Sequence, residues 1–387
     1  MYDSTHDFWV LYEIRVPQNI PRPMKAMENV FAGFWQLYDP PNRRERVLEG
    51  QYQYGMSIEI VSTEGEVHFY LRVPIGGEKL IESAVYAQYP DAELIVVEDY
   101  TQKLPQDIPN KDWEFWGASY KLAREDPFPI KTYPTFFEAS PGDKEEAKVD
   151  PMAMLIENIS RAETNEHFWI QFHITPVADR DLHYMVEGAK LINKLANRPD
   201  ATKPPSIFED MGKVGHMLAT GTEAVQAEEE KRNELFAPEL RLTPGERDVV
   251  AAVEEKLSKP LFRVHSRFMY IAKRDVYSSP AKALALGFYN QFQTSHLNAL
   301  IPLFTTKVHT IPLWFLDARR RYLKKRRMFR NYVYRLPPYF PRSGGTFMLN
   351  IEEMATIFHF PGQIVTSVKV PSIETKKGEA PPELPTE

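Results

Sequence analysis

The fold turns on residues 51–73, QYQYGMSIEIVSTEGEVHFYLRV. Tyr52, Tyr54, Met56, Ile58 and Ile60 alternate with Gln51, Gln53, Gly55, Ser57 and Glu59. That period of two gives a strand with one buried face and one wet face. Glu64 and Gly65 supply a turn, and Val67, Phe69, Leu71 and Val73 alternate beyond it, so the two runs pair as a hairpin. Upstream, Phe8, Val10, Tyr12, Ile14 and Val16 predict a strand closed by Pro17. Met24, Met27, Phe31, Phe34 and Tyr38 then share one face of a helix bracketed by prolines. Downstream, Gly76 and Gly77 open a short helix carrying Leu80, Ile81, Ala84 and Val85, and the apolar run Leu94 to Val97 suits a covered strand. The order βαββαβ is the ferredoxin-like pattern.

The fold class expected for the whole chain is α+β, built of tandem α/β units. The first, ferredoxin-like unit takes residues 1–100, and a connector rich in proline and aromatics, with Trp113, Trp116, Tyr133, Phe136 and Phe137, takes 101–149. A second α/β domain spans 150–362. Its expected elements are a helix from Pro151, a strand at Phe168, Ile170, Phe172 and Ile174, a helix to Ala196, a helix from Pro244 and a strand at Phe262, Val264, Ser266 and Phe268. Helices near 280–293 and 315–333 follow. Pro204, Pro205, Gly212, Gly215, Gly221 and the acidic run Glu228 to Glu230 make 198–241 a mobile insertion. Residues 363–387 have too few apolar side chains to repay ordering and are expected as an extended or disordered tail.

A net charge of −6 over 387 residues gives no global field favouring nucleic acid or membrane. The absence of cysteine excludes disulfides, iron–sulfur clusters, thiolate zinc sites and cysteine nucleophiles. Leu297 to Leu316, the most apolar stretch, is broken by Lys307, His309 and two prolines, so no membrane-spanning helix is expected. The opening MYDSTHDF has no basic segment leading into an apolar core, and no signal peptide is expected.

Neither GxxxxGK[ST] nor GxGxxG occurs, so the chain is not expected to hydrolyse ATP alone, and no cofactor is expected. Gly55-Met56-Ser57-Ile58-Glu59 copies only the first half of a nucleophile elbow and lies within a strand. Asp179, Asp181 and His183 offer metal-ligand atoms, yet no glycine turn or downstream glutamate completes a site. The chain therefore reads as no enzyme, with neither a catalytic nor a metal-ligating residue. His167 and His173 share a strand face with Trp169 and Gln171. If that strand neighbours the one bearing Arg263, His265 and Arg267, a cationic sheet face forms, to be read as a wet sheet surface or as a phosphate or partner site.

The strongest local signal is residues 319–335, RRRYLKKRRMFRNYVYR, with seven arginines, two lysines and no acid, which leaves about −15 on the rest of the chain. On a helix Phe315, Ala318, Tyr322, Phe329 and Val333 form an apolar stripe, while Arg319, Arg320, Lys324, Arg327 and Arg330 lie mostly off it. Nine cations in under five turns repel one another, so an anionic partner competes with a plain solvated face. DNA leads among such partners, ahead of anionic lipid and an acidic protein.

VHFYLRVP (67–74), ESAVYAQYPDAELIVVEDY (82–100), RFMYIAKRDVY (267–277), the basic helix and GGTFMLNIEEMATIFHFPG (344–362) together resemble a domain-of-unknown-function family. That family forms the non-ATPase region fused to, or encoded near, HerA/VirD-like ATPases of conjugative, type IV secretion-like DNA transfer. The resemblance implies a non-catalytic module that docks such an ATPase and contacts DNA, and offers the alternative of a membrane-face scaffold of a secretion or pilus apparatus without DNA contact. It further implies a cytoplasmic location at the membrane face, since relatives carry an N-terminal anchor before the first strand, and no such segment precedes Phe8 here. Phe358 and Phe360 are candidate docking aromatics, with burial in their own core as the other reading.

Overall fold

The computed structural model describes residues 8–17, 24–50, 53–136, 150–178, 184–196, 242–306, 316–336, 345–361 and 372–373. The expected insertion at 198–241, most of the tail, and Asp179, Asp181, His183 and Phe315 lie outside them. The first stretch contains β1 (Trp9–Pro17), α1 (Met24–Trp35), α2 (Arg43–Leu48), β2 (Met56–Thr63), β3 (Glu66–Pro74), α3 (Glu78–Gln88) and β4 (Glu93–Val96). Next come β5 (Trp113–Leu122), α4 (Tyr133–Phe136), α5 (Pro151–Ile159), β6 (Glu166–Val177), α6 (Tyr184–Leu195) and α7 (Pro244–Ser258). The remainder comprises β7 (Leu261–Lys273), α8 (Ala283–Asn290), β8 (Leu300–Thr305), α9 (Asp317–Val333), β9 (Phe347–Asn350), α10 (Ile351–Ile357) and β10 (Ser372–Ile373).

One open sheet joins these strands in the order β1-β3-β2-β6-β7-β5-β8. β4 and then β10 continue along the outer edge of β1, and β9 lies beside β5 on β7. Every pairing is antiparallel except the two-residue β10. Read from the two ends, β4-β1-β3-β2 and β8-β5-β7-β6 follow the same order, and they meet at β2 and β6, paired from Met56–Ile174 to Thr63–His167.

What holds of the expected fold is its class, a mixed α/β chain. The expected ferredoxin-like first unit does not stand as a separate body, because the edge that β2 would leave free is hydrogen-bonded to β6 along the whole strand. By compactness the chain forms two units. One unit comprises Met1–Asp126, Ile130–Ala178 and Lys259–Glu387, and the other comprises Pro127–Pro129 and Asp179–Ser258. The smaller unit's α6 and α7 bury Leu191, Ile192, Val250, Val253 and Leu257.

Two further expectations change. The 101–149 connector contains β5, a strand inside the sheet between β7 and β8 with aromatics buried on both faces. β4 is an exposed edge strand rather than a covered one, with Val96 at 65% exposure.

The hairpin at the centre follows its sequence closely. Glu64 (φ 52°) and Gly65 (φ 88°) form its two-residue loop, both in the left-handed region that matches the twist of the flanking strands. A Cβ on Gly65 would lie 2.7 Å from the Ser160 carbonyl oxygen. Gly65→Ala is therefore expected to destabilise the protein by about 1–3 kcal/mol. A lowered urea midpoint would show it, and an unchanged midpoint would mean that the turn relaxes at no cost.

Each sheet face has its own core. On one face α1, α3, α5, α8 and α10 pack on Ile14, Ile58, Ile60, Phe69, Phe168, Ile170 and Phe268. On the other, α9 and the segment around Tyr100, Leu104 and Ile108 cover Val61, Tyr70, Phe115, Trp169, Met269 and Ile271. Gly117 admits the helix, since a Cβ there would meet Met328 Sδ at 2.5 Å. β2 is consequently buried on both faces from Met56 to Ser62, so the wet face expected for it is absent.

Candidate functional site

Covering β2 on its second face creates an electrostatic problem, because Glu59 projects there and is fully buried. The sheet register puts Tyr70, Glu59, Gln171 and Arg267 in one row across β3, β2, β6 and β7. Gln171 Nε2 donates to Glu59 Oε1 at 2.9 Å, and Arg267 Nη1 donates to Gln171 Oε1 at 3.2 Å and to the Asn331 carbonyl of α9. Ser57 Oγ and Tyr100 OH each donate to the same carboxylate, at 2.7 and 2.6 Å. With the Tyr100 proton committed to Glu59, Tyr332 OH donates to Tyr100 OH at 2.9 Å.

The counter-charge comes from the end of α9. Arg335 places Nε 2.9 Å from Glu59 Oε1 and Nη2 3.1 Å from Glu59 Oε2, and its Nη1 pairs with Asp99. Burial alone would push the Glu59 and Asp99 carboxyls up, but the Arg335 guanidinium outweighs it and holds both below the usual range. Burial likewise disfavours the charged guanidinium, and the two carboxylates more than reverse that. Arg335 sits just past the helix at φ 51°, with its N–H donating to Tyr332 O and that of Leu336 to Asn331 O. This is the Schellman pattern, in which glycine is the usual residue. A long side chain accepts the left-handed backbone here in order to reach Glu59.

The five residues expected to form a cationic sheet face do project to this side. His173 pairs with His265, Gln171 with Arg267 and Thr175 with Arg263. His167 lies further along, tilted against Trp113 at 5.6 Å. This surface is largely covered: His167, His265 and Arg267 are buried, and His173 and Arg263 are half-buried. Burial, then Arg267 and Arg72, push His173 down to about 3, and burial pushes His167 down to about 4. Burial and Arg267 hold His265 far below its ordinary value, while its Nδ1 donates to the Gly345 carbonyl. Burial also lowers Arg267, to about 9, against the pull of Tyr332 and Glu59.

Displayed charge is concentrated in α9. Met328, Phe329, Tyr332 and Val333 bury the second half of the helix. Over the first half Arg319, Arg320, Arg321, Tyr322 and Leu323 are exposed, as are Arg327 and Arg330 beyond. Ala318 and Tyr322 are thus exposed and not part of a buried stripe. Lys324 is half-buried, and burial together with neighbouring Arg320 lowers its ammonium pKa. Arg335 is neutralised as above, and Lys325 Nζ lies 2.7 Å from Glu114 Oε1. Arg326 Nη1 donates to the Gln106 carbonyl at 3.3 Å.

A family model described as "Domain of unknown function (DUF8128)" matches residues 51–370. The chain belongs to that family. The DUF8128 match takes in β2, the row on Glu59, all of α9 and Arg335. Its description names no activity and no link to conjugative ATPases. No curated protein matches the chain. Among the described residues, no cluster of three or more His, Asp or Glu could hold a metal ion, and no helix is long and apolar enough to cross a membrane.

Phe358 and Phe360 lie in the core. Phe358 packs on Phe31 and Phe69, at ring distances of 6.4 and 6.0 Å, and Phe360 packs on Phe69 and Tyr89, at 5.4 and 5.1 Å. Docking by inserting these rings into a neighbour would first require pulling them from their own interior.

Proposed function

We propose that this protein is a non-catalytic docking module whose helix α9 presents its cations to the phosphates of DNA, as part of a type IV secretion-like DNA-transfer machine with a HerA/VirD-like ATPase. The observation that carries this reading is the division of labour along one helix. Arg335 and the apolar side chains fix its end to the sheet, while Arg319, Arg320, Arg321, Arg327 and Arg330 remain exposed. An anchored row of guanidinium groups offers phosphate a prepaid geometry. The location that fits this reading is the cytoplasmic face of the membrane.

For the fold, the matching orders β4-β1-β3-β2 and β8-β5-β7-β6 support a reading as two ferredoxin-like repeats joined edge to edge at β2 and β6.

The test is fluorescence anisotropy with labelled duplex DNA at low salt. Replacing Arg319, Arg320, Arg327 and Arg330 with glutamine is expected to weaken binding by about a hundredfold or more, with an unchanged thermal midpoint. Equal binding by both proteins would sink the proposal. Exposed Leu316, Tyr322 and Leu323 among the cations favour a second reading, a scaffold resting on anionic lipid. Capture by phosphatidylserine vesicles without DNA binding would select it.

A further inference from the structure

Tyr322 is the odd residue on the exposed half of α9. The residue is 48% exposed, among arginines, with no hydrogen bond or ion pair among the described residues. Arg319 and Arg326, three before and four after it, share its helix face. That face looks onto an open notch of about 450 Å³ lined by Asp107, Pro109, Asn110, Lys111, Arg274 and Tyr322.

The far wall of the notch is rigid. Asn110 Nδ2 donates to Asp107 Oδ1 at 2.8 Å, and Asn110 Oδ1 accepts from the backbone N–H groups of Asp112 and Trp113. Arg274 Nε donates to the Asn110 carbonyl at 2.9 Å, and its Nη1 lies 3.2 Å from Glu114. Arg326 ties the helix to the same loop at Gln106. Lys111 is exposed and forms no ion pair among the described residues. Tyr322 therefore lines an open notch, with Arg319 and Arg326 on its own helix face and Lys111 and Arg274 among the other lining residues.

A duplex shows such a recess only its phosphates, whereas a single strand can turn a base onto the ring while its backbone follows the cations. We infer that the notch beside Tyr322 takes an unpaired base of single-stranded DNA, stacked on the phenol ring, with the flanking phosphates on Arg319 and Lys111. This rests on the reading of α9 as a DNA-contacting helix and adds which form of DNA it selects.

The test uses the full chain and two fluorescent probes, an oligothymidylate of about 16 nucleotides and a duplex of the same length. The wild type is expected to bind the single strand about tenfold more tightly than the duplex at equal salt. Tyr322→Leu should abolish that preference while leaving duplex affinity unchanged, and Tyr322→Phe should keep it. An oligothymidylate carrying 5-iododeoxyuridine should photo-crosslink at Tyr322. If duplex and single strand bind equally, or if Tyr322→Leu leaves the preference intact, the base-stacking notch is refuted and the DNA reading of α9 stands. If neither probe binds, both fall together.

Discussion

Replacing Arg335 with methionine is expected to cost about 3–5 kcal/mol of folding stability, the cost of leaving a buried carboxylate without its partner. Glu59 is fully buried, Asp99 also relies on this guanidinium, and Arg335 itself is 3% exposed. No other cation pairs with Glu59 among the described residues: Gln171 separates it from Arg267. Arg335→Gly separates the two roles of the position. It relieves the left-handed backbone, by about 1 kcal/mol, but removes the charge, so it should still be much less stable than the wild type. Glu59→Gln combined with Arg335→Met should recover a substantial part of the loss. Urea denaturation measures all three, and a Met variant within 1 kcal/mol of the wild type would mean that the pair does not hold α9 to the sheet.

Acid should weaken the fold well above the range in which carboxylates titrate. His167 and His173 have folded values near 4 and 3, and His265 also lies well below its ordinary value. An unfolded histidine takes up a proton near pH 6.5, which these folded ones resist. The unfolded state therefore binds more protons below that pH, and stability falls as pH falls, by about 1.4 kcal/mol per pH unit for each such histidine. Three together approach about 4 kcal/mol per unit near pH 5, with half-buried His173 contributing least. Glu59 and Asp99 act later: held low by Arg335, they support the fold above the ordinary carboxylate range and lose that contribution only as pH drops below it. Stability measured in urea from pH 7.5 to 4.5 should slope steeply from about pH 6.5, and His265→Gln should remove about a third of the slope. A flat profile between pH 7 and 5 would contradict neutral burial of these rings.

The sequence carried the local rules and missed the long-range ones. The β2–β3 hairpin, its Glu64-Gly65 loop and the helices of Met24–Trp35 and Pro151–Ile159 follow periods and caps set within a few residues. β5 was hidden because both its faces are covered, so aromatics fall on both sides and Gly117 and Ala118 interrupt the pattern. Glu59 looked solvent-facing for a related reason: period two marks which residues share a face, and only the return of α9, some 270 residues later, covers that face. The basic segment was legible as a charged helix. Which cations it displays was not, since burial along the helix is set by what packs on it, leaving Arg319 to Arg321 exposed while its last arginine turns inward.

In the proposed function the anchored helix α9 holds its exposed cations for DNA phosphates. The affinity of the intact chain for duplex DNA across a series of salt concentrations tests this reading. Four or five phosphate contacts predict a log–log slope of about −4, reduced towards zero in the Arg319, Arg320, Arg327 and Arg330 glutamine variant. No binding at low salt, or binding whose salt dependence survives that variant, would contradict it.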